Sequence, residues 1–327
     1  MAIVGATGLV GRTMLKVLEE RDFPIDSLTL LASERSAGTS MEFRGIPLTV
    51  QTLNEHSFEA IDIALFSAGG VLSSAYAPIA VKAGCTVIDN SSAFRMEPDV
   101  PLVVPEVNPD DVMKHHGIIA NPNCSTIQLV LALDPIRRQF GLQRLIVSTY
   151  QSVSGAGNKG LTQLRDELNG IEPTERISSH PLAFNTVFHT RPDGRGSSTE
   201  EEIKMRREIR RIYSMPELPI AVTCVRVPTT GGHAESVYAE LEHDWTIDDI
   251  HDCLANIPGL KVIDDNDSDA FPTPVLAQDN DEVFVGRIRK DDDNPRGLLM
   301  WVVADNLRKG AATNAVQIAE LLMRKNS

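Results

Sequence analysis

The chain opens with a short apolar run that leads into glycines and an amphipathic pattern. Residues 2–4 predict a strand, and the spacing of apolar positions that follows predicts a helix to about Glu20. Similar short apolar runs alternate with helical segments at 27–32, 61–66, 86–89 and 102–104. This alternation predicts an α/β fold with a parallel, doubly wound sheet of the Rossmann type.

The pattern changes at about Asn121. Longer runs with apolar alternation predict strands of a mixed or antiparallel sheet at 144–151, 221–227, 236–241, 283–288 and 298–303. The polar stretch 170–199 predicts an excursion over the surface, suited to a dimer arm or a lid. The final helix, 310–324, is expected to return to the first domain. We therefore predict one domain over 1–121, completed by 307–327, and an α+β domain with a mixed sheet over 122–306.

Glycines at 5, 8 and 11 follow the first predicted strand. They permit a tight turn, close approach of a pyrophosphate to the backbone, and close packing of helix on strand. The sequence therefore predicts a dinucleotide site in this turn, with contacts from Gly5, Thr7, Gly8, Leu9 and Val10.

Residues after the second predicted strand indicate which dinucleotide is bound. Arg35, flanked by Ser33 and Ser36, suits a 2′-phosphate and favours NADP. Glu34 keeps NAD open, because an acidic residue near this position binds ribose hydroxyls. An arginine in a solvated loop is the alternative interpretation. The turn at Gly69 and Asn306 are further candidate contacts for the cofactor.

Cys124 stands where a strand gives way to a helix. The run 117–120 predicts a buried strand, and apolar spacing from Ser125 to Arg138 predicts a helix. A helix N-terminus favours the thiolate, and such sites lower a thiol pKa from ~8.5 to roughly 3.5–7.5. Cys124 is therefore a candidate nucleophile, and a buried structural cysteine is the alternative.

Two residues near the end of one predicted strand could assist a cysteine nucleophile, one by moving a proton and the other by binding the substrate. His233 follows the strand in a glycine-rich loop and is a candidate proton shuttle, with a hydrogen-bonded structural histidine as the alternative. Arg226 could grip a carboxylate as a bidentate fork or form a structural salt bridge.

Arg95 also follows a strand and could bind phosphate. The charged segment 200–208 predicts a helix, by default one that faces solvent.

Composition and charge limit the binding partners and the cellular compartment that we expect for this protein. The net charge of −14 argues against nonspecific binding to nucleic acid or an anionic membrane. The four cysteines contain no C-x-x-C pair, so neither a metal site nor a disulfide framework is expected. No apolar run reaches the ~18 to 20 residues that span a bilayer, and no leader pattern opens the chain. We therefore expect a cytoplasmic protein.

Together these motifs resemble the aspartate-β-semialdehyde dehydrogenase family over essentially the whole chain. The segments that carry the resemblance are 5–11, 32–38, 121–126, 151–157, 201–204, 226–233 and 305–312. The resemblance implies NADPH-dependent reduction of β-aspartyl phosphate to aspartate β-semialdehyde with release of phosphate. It also implies a homodimer and a place in the aspartate-derived biosynthesis of lysine, threonine, methionine and diaminopimelate.

The resemblance assigns roles to individual residues. Cys124 is implied as the acyl-accepting nucleophile, His233 as the acid/base, and Gln151 as the group that orients the reacting carbonyl. Arg226 is implied to hold the substrate carboxylate and Glu201 its ammonium. Phosphate and remaining substrate contacts are implied for Arg95, Lys204 and Asn123, and further cofactor contacts for Ser154 and Gly155.

Two other functions compete with this interpretation. N-acetylglutamyl-phosphate reductase shares the nucleotide domain, the cysteine and acyl-phosphate chemistry, but its substrate has no free ammonium for Glu201 to bind. A nonenzymatic NADP-binding redox sensor would use the glycine turn and the thiol alone. It would leave His233, Arg226 and the segment 306–310 unexplained.

Overall fold

The computed structural model describes residues 1–191, 197–265, 268 and 270–326. The chain divides into two units, the first comprising Met1–Asn123 and Ala311–Ser327 and the second Cys124–Gly310. Within the described ranges, no helix is long and apolar enough to cross a membrane.

The elements of the described residues are, in chain order, β1 (Ala2–Val4), α1 (Leu9–Glu20), β2 (Thr29–Ala32), β3 (Ser40–Phe43), β4 (Ile46–Thr49), β5 (Gln51–Thr52), β6 (Ile63–Phe66), α2 (Gly70–Lys82), β7 (Thr86–Asp89), β8 (Ile118–Ala120), α3 (Cys124–Phe140), β9 (Arg144–Gln151), α4 (Gly157–Leu168), β10 (Val187–Phe188), α5 (Glu200–Ile212), β11 (Ile220–Arg226), β12 (His233–Glu240), α6 (Ile247–Leu254), β13 (Leu260–Val262), α7 (Pro274–Ala277), β14 (Val283–Lys290), β15 (Gly297–Ala304) and α8 (Thr313–Asn326).

The first unit contains a parallel sheet in the order β5-β2-β1-β6-β7-β8. Strands β2 and β5 lie on one side of β1, and β6, β7 and β8 lie on the other. The crevice between β1 and β6 is therefore the topological switch point at which such sheets bind ligands. Alternate residues of β1 enter different cores, with Ile3 in one and Ala2 and Val4 in the other. The predicted doubly wound α/β architecture is confirmed.

One predicted strand of this unit was wrong. In the run 102–104, Leu102 makes only an isolated parallel bridge to Ala120. Prolines stand on both sides of the run, at Pro101 and Pro105. Proline has no N–H to donate and restricts the residue before it, so a regular strand does not extend in either direction.

The C-terminal helix α8 completes the core of the first unit. Its apolar side shares a cluster with α1, to which it contributes Ala315, Val316, Ile318, Ala319 and Leu322. Arg21 at the end of α1 donates through Nε to Glu320 Oε1 at 2.7 Å. A single π-helical turn, Arg308–Ala312, precedes α8, so the regular helix begins three residues later than the sequence predicts.

The second unit contains a mixed sheet in the order β10-β11-β9-β12-β15-β14-β13, and the mixed sheet expected from the sequence is confirmed. In its centre β9 pairs parallel with β11 and antiparallel with β12. Burial alternates along β9, which leaves one face of the sheet covered and the other more exposed. Helices α3 and α5 pack on this sheet.

The excursion predicted at 170–199 is described except for residues 192–196, which lie outside the described residues. Its strand β10 pairs antiparallel with the end of β11. Leu182 and Val187 pack against Val153 and Leu164, so this part of the excursion has its own small core. Its function as a dimer arm or a lid stays a prediction.

Candidate active site

Three predicted site residues lie side by side at one end of the mixed sheet. Gln151, the last residue of β9, is in register with Arg226 of β11 and with His233 of β12. Directly paired residues point to the same face of a sheet. Gln151 and His233 are 1% and 0% exposed, so this is the covered face.

The position of His233 corrects the sequence interpretation. The sequence predicts a loop position for His233, just past the strand that carries Arg226, but His233 is the first residue of β12, a separate strand. Gly232 adopts a φ of +72°, which glycine reaches without strain, so the turn ends immediately before the histidine. His233 is thereby held by the ladder of the sheet.

Cys124 is the first residue of α3 and is partly exposed. The neighbouring Ser125 accepts a hydrogen bond from Gln151 Nε2 at 3.0 Å, which ties the start of the helix to the end of the sheet. Burial lowers the pKa of Arg226, whereas the charges of Glu201 and Cys124 act to raise it. Cys124, Gln151 and Arg226 therefore belong to one site.

The protonation state of His233 follows from its contacts. The Ser152 N–H donates to its Nδ1 at 3.1 Å, so the hydrogen of the neutral ring lies on Nε2. Burial, and then the charge of Arg226, lower the pKa of His233 to about 3. Nε2 is buried without a partner among the described residues. His233 thus offers a neutral N–H donor.

Gly155 keeps the space beside this donor open. A Cβ at Gly155 would lie 3.2 Å from His233 Nε2 and 3.4 Å from Arg226 Nη1. These contacts are tighter than side chains normally make. Glycine at this position therefore keeps a side chain away from both the imidazole and the guanidinium.

Arg226 is held by two acceptors. Its Nη1 donates to the Ser152 carbonyl at 2.8 Å, and its Nη2 donates to Nδ1 of His189 at 3.3 Å. The sequence predicts no role for His189. No local motif marks this residue, because it reaches Arg226 only through the long-range pairing of β10 with β11.

The charged helix α5 presents one buried acidic face. Glu201 is 7% exposed and accepts a hydrogen bond from Gln151 Nε2 at 3.3 Å. Lys204 Nζ lies 3.7 Å from Glu201 Oε2. Glu202 forms a capping box with Thr199 and accepts from the Cys224 N–H, which fixes α5 on β11. The default interpretation of a helix facing solvent was therefore wrong for this face.

Asn306 supports the same region of the second unit. Its Oδ1 accepts hydrogen bonds from the hydroxyls of Ser152 at 3.1 Å and Ser154 at 3.0 Å. All three side chains are buried. The orientation of the amide is thereby fixed, and its Nδ2 is the donor left to offer.

In the first unit, the glycine turn has the geometry of a phosphate site. Gly5 has a φ of +84°, and a Cβ there would collide with the Ser67 carbonyl. A Cβ at Gly11 would collide with the Gly5 carbonyl, so α1 packs directly on the turn. Gly8 is the N-cap of α1 and supplies no capping side chain. The amides at this helix N-terminus suit an anion. Thr7, Leu9 and Val10 surround them and are half-buried.

Two neighbouring segments extend this candidate dinucleotide site. Gly69, with a φ of +84°, is the N-cap of α2 and follows β6 across the switch point. After β2, a short 3₁₀ helix spans Glu34–Ser36. Arg35 and Ser33 are exposed there, and Arg35 makes no ion pair with the part of the chain that the structure describes. The residues present therefore fit a dinucleotide, with the exposed Glu34 and Arg35 both close to the end of β2.

Arg95 lies at the carboxyl edge of the same sheet. Its Nε donates to the Asn121 carbonyl and its Nη2 to the Asn90 carbonyl, both at 2.9 Å. These residues follow β8 and β7. Asn123 is buried at the end of this segment. The guanidinium is therefore fixed by backbone oxygens at the edge where ligands of open α/β sheets bind.

Comparison with known proteins decides the family. Residues 1–115 match the family described as semialdehyde dehydrogenase, NAD binding domain, and residues 133–309 match semialdehyde dehydrogenase, dimerisation domain. An aspartate-semialdehyde dehydrogenase of Aquifex aeolicus is 54% identical, over 99% of this chain and 98% of that protein. The chain belongs to the aspartate-semialdehyde dehydrogenase family.

Solved structures of the family agree with this assignment. Aspartate semialdehyde dehydrogenase II of Vibrio cholerae, complexed with ASA, is 48% identical with a TM-score of 0.93, and the match covers 99% of this chain and 97% of that one. The Candida albicans enzyme with NADP is 25% identical with a TM-score of 0.75, over 99% and 98%. Neither N-acetylglutamyl-phosphate reductase nor a redox sensor is favoured by these relatives.

Proposed function

We propose that this protein catalyses the NADPH-dependent reduction of β-aspartyl phosphate to aspartate β-semialdehyde and phosphate. The observation that carries the proposal is the register of Arg226, Gln151 and His233, with Gln151 bonded to the start of the helix that begins at Cys124. This arrangement combines an anion-binding group, a carbonyl-orienting amide, a proton carrier and a nucleophile. We place the reaction in aspartate-derived amino-acid biosynthesis in the cytoplasm.

In the first half of the reaction, the Cys124 thiolate attacks the acyl carbon of β-aspartyl phosphate. The new C–S bond forms as the C–O bond to phosphate breaks, and phosphate leaves with the electron pair. Cys124 stands at the N-terminus of α3, where the positive end of the helix dipole favours a thiolate and an oxyanion. The product is a thioester on Cys124.

In the second half, the thioester is converted to the aldehyde and the thiolate is restored. Bound NADPH supplies the hydride for this conversion. His233 donates a hydrogen bond from Nε2–H to the carbonyl oxygen while that oxygen carries negative charge. The oxyanion then re-forms the C=O bond as the C–S bond breaks, and the electron pair leaves with the Cys124 sulfur. Gln151 orients the carbonyl.

The charges of the site match the substrate. We propose that Arg226 binds the α-carboxylate, Glu201 the α-ammonium, and Arg95 and Lys204 the phosphate, with Asn123 beside it. Binding of the carboxylate would offset the charge of Arg226, one of the two main causes that lower the pKa of His233. Substrate would thus raise that pKa and bring the histidine closer to the range useful for proton transfer.

We propose that the first unit binds NADP(H) in preference to NAD(H). Gly5, Thr7, Gly8, Leu9, Val10 and Gly69 would hold the pyrophosphate end. Arg35, Ser33 and Ser36 would bind the 2′-phosphate, and the Candida albicans relative has NADP. From the second unit, Ser154, Gly155 and Asn306 would contact the cofactor.

The decisive test is the dependence of NADP⁺ reduction on phosphate. Purified protein is given aspartate β-semialdehyde and NADP⁺, with and without phosphate or arsenate. We expect rapid formation of NADPH only when the oxyanion is present, because it must cleave the thioester. Reduction without any oxyanion would contradict the acyl-phosphate reaction, and N-acetylglutamate semialdehyde as the better substrate would favour the competing reductase.

We further propose a homodimer formed through the exposed face of the mixed sheet. Ile146 and Tyr150 are 37% and 39% exposed on this face, and Tyr150 packs beside Trp301 with ring centroids 5.5 Å apart. This unit matches the dimerisation-domain family. Wild-type protein should sediment as a dimer, and Tyr150→Glu should shift it towards monomer, because a charge would enter an apolar contact. A wild-type monomer at all concentrations would contradict the proposal.

A further inference from the structure

His189 lies against the residue proposed to bind the substrate carboxylate. It directly follows β10, whose Val187 pairs with Arg226 and whose Phe188 pairs with Val225. This pairing brings His189 Nδ1 to 3.3 Å from Arg226 Nη2. The other charged groups that act on the imidazole come from α5, namely Glu201, Lys204 and Glu202.

The contact fixes which nitrogen of His189 carries the hydrogen. Arginine can only donate, so Nδ1 must accept and the hydrogen of the neutral ring lies on Nε2. Burial, and then the charge of Arg226, lower the pKa of His189 to about 4. The ring is therefore neutral across the physiological range, and its tautomer is set by Arg226.

The Nε2–H of His189 is buried and has no hydrogen-bond partner within the described residues. Buried donors are nearly always satisfied, so an orphaned one next to a binding arginine indicates an acceptor that arrives with a ligand. Arg226 and Lys204 act on this position as positive charges, and Glu201 and Glu202 as negative ones. Because the donor lies beside Arg226, we take its acceptor to be the anionic group that Arg226 binds.

Arg226 has five N–H donors, and the described protein acceptors engage two of its nitrogens, through Ser152 and His189. These two bonds hold the guanidinium in one orientation before substrate arrives. Holding a binding group in its bound orientation reduces the ordering cost of association. His189 is thus one of the two described acceptors that orient Arg226.

We propose that His189 positions the substrate α-carboxylate, by accepting a hydrogen bond from Arg226 and donating Nε2–H to a carboxylate oxygen. The inference rests on the proposed function, because it takes an α-amino acid aldehyde as the ligand.

The test compares three variants. His189→Phe keeps the size but removes both nitrogens, whereas His189→Gln keeps one acceptor and one donor. His180→Phe is the matched control, because His180 is an exposed histidine of the same excursion. We expect His189→Phe to raise the KM for aspartate β-semialdehyde by roughly 10- to 100-fold while kcat falls at most about threefold. His189→Gln should recover most of this loss, and His180→Phe should match wild type.

A carboxylate contact also predicts selectivity among ligands. The KM for phosphate should stay unchanged in His189→Phe, and an aldehyde that lacks the carboxylate, 3-aminopropanal, should react equally with wild type and variant. An unchanged KM for aspartate β-semialdehyde would overturn the inference, as would an increase confined to phosphate. Wild-type protein that fails to reduce NADP⁺ with phosphate would instead contradict the proposed function itself.

A second measurement needs no variant. In wild-type protein, ¹⁵N chemical shifts should show His189 as the neutral Nε2–H tautomer at pH 6, and its Nε2–H resonance should shift when L-2-aminobutyrate is added. This probe carries the carboxylate and the ammonium but no aldehyde. The Nδ1–H tautomer, or a resonance that the probe leaves unchanged, would contradict the inference.

Discussion

Arg226→Lys tests the carboxylate contact while preserving positive charge. In the structure the guanidinium spans two acceptors, with Nη1 2.8 Å from the Ser152 carbonyl and Nη2 3.3 Å from His189 Nδ1. Lysine carries a single ammonium on a flexible stem. It therefore cannot occupy both positions and also present a planar fork to a carboxylate.

The expected loss follows from one charge-assisted hydrogen bond. Such a bond contributes about 1.5–3 kcal/mol, so kcat/KM for aspartate β-semialdehyde should fall roughly 10- to 150-fold. Lysine retains the charge that lowers the pKa of His233, so the dependence on pH should keep its wild-type form. Arg226→Met also removes the charge, and it should lose more activity and raise the pKa of His233.

The assay is phosphate-dependent NADP⁺ reduction over a range of aldehyde concentrations and pH, with thermal unfolding to verify the fold. Arg144→Lys is the matched control, since Arg144 is exposed at the opposite end of β9 from Gln151. If kcat/KM of Arg226→Lys stays within threefold of that of the control, the fork does not bind the substrate.

Three further predictions address the nucleophile, the cofactor and the buried histidine. Cys124→Ala should abolish turnover yet bind NADPH with wild-type affinity in a fluorescence titration, and residual turnover would exclude the covalent route. Arg35→Leu should raise the KM for NADPH far more than that for NADH, and equal increases would show that Arg35 does not contact the 2′-phosphate. His233 has a folded pKa of about 3 against ~6.5 unfolded, so its contribution to stability is complete above pH 6.5 and is lost as pH falls. Urea unfolding should show wild type losing about 2 kcal/mol more than His233→Gln between pH 7.5 and pH 5, and parallel losses would contradict the low pKa.

Features that are formed within one short segment can be predicted from the sequence of that segment. The glycines at 5 and 11 predict a turn that a Cβ would obstruct, and the carbonyl contacts of both positions show why. The change from a buried strand to a helix at Cys124 is also local, because the apolar spacing changes there.

Long-range pairing determines the rest of the site. Nothing near Gln151 in the sequence shows that it stands between Arg226 and His233, since this depends on the register of β9 with two other strands. The same applies to His189, which reaches Arg226 through β10. The burial of Glu201 depends on which face of α5 meets the sheet, and a strongly charged sequence pattern gives little sign of that face.

Mass spectrometry shows whether Cys124 carries the acyl group of the substrate, as the proposed reaction requires. The protein is mixed with β-aspartyl phosphate in the absence of NADPH, quenched in acid and digested. We predict an aspartyl group on the Cys124 peptide, an equal amount of released phosphate, and neither in Cys124→Ala. Phosphate release without acylation of Cys124, or equal labelling of Cys124→Ala, would exclude Cys124 as the acyl acceptor.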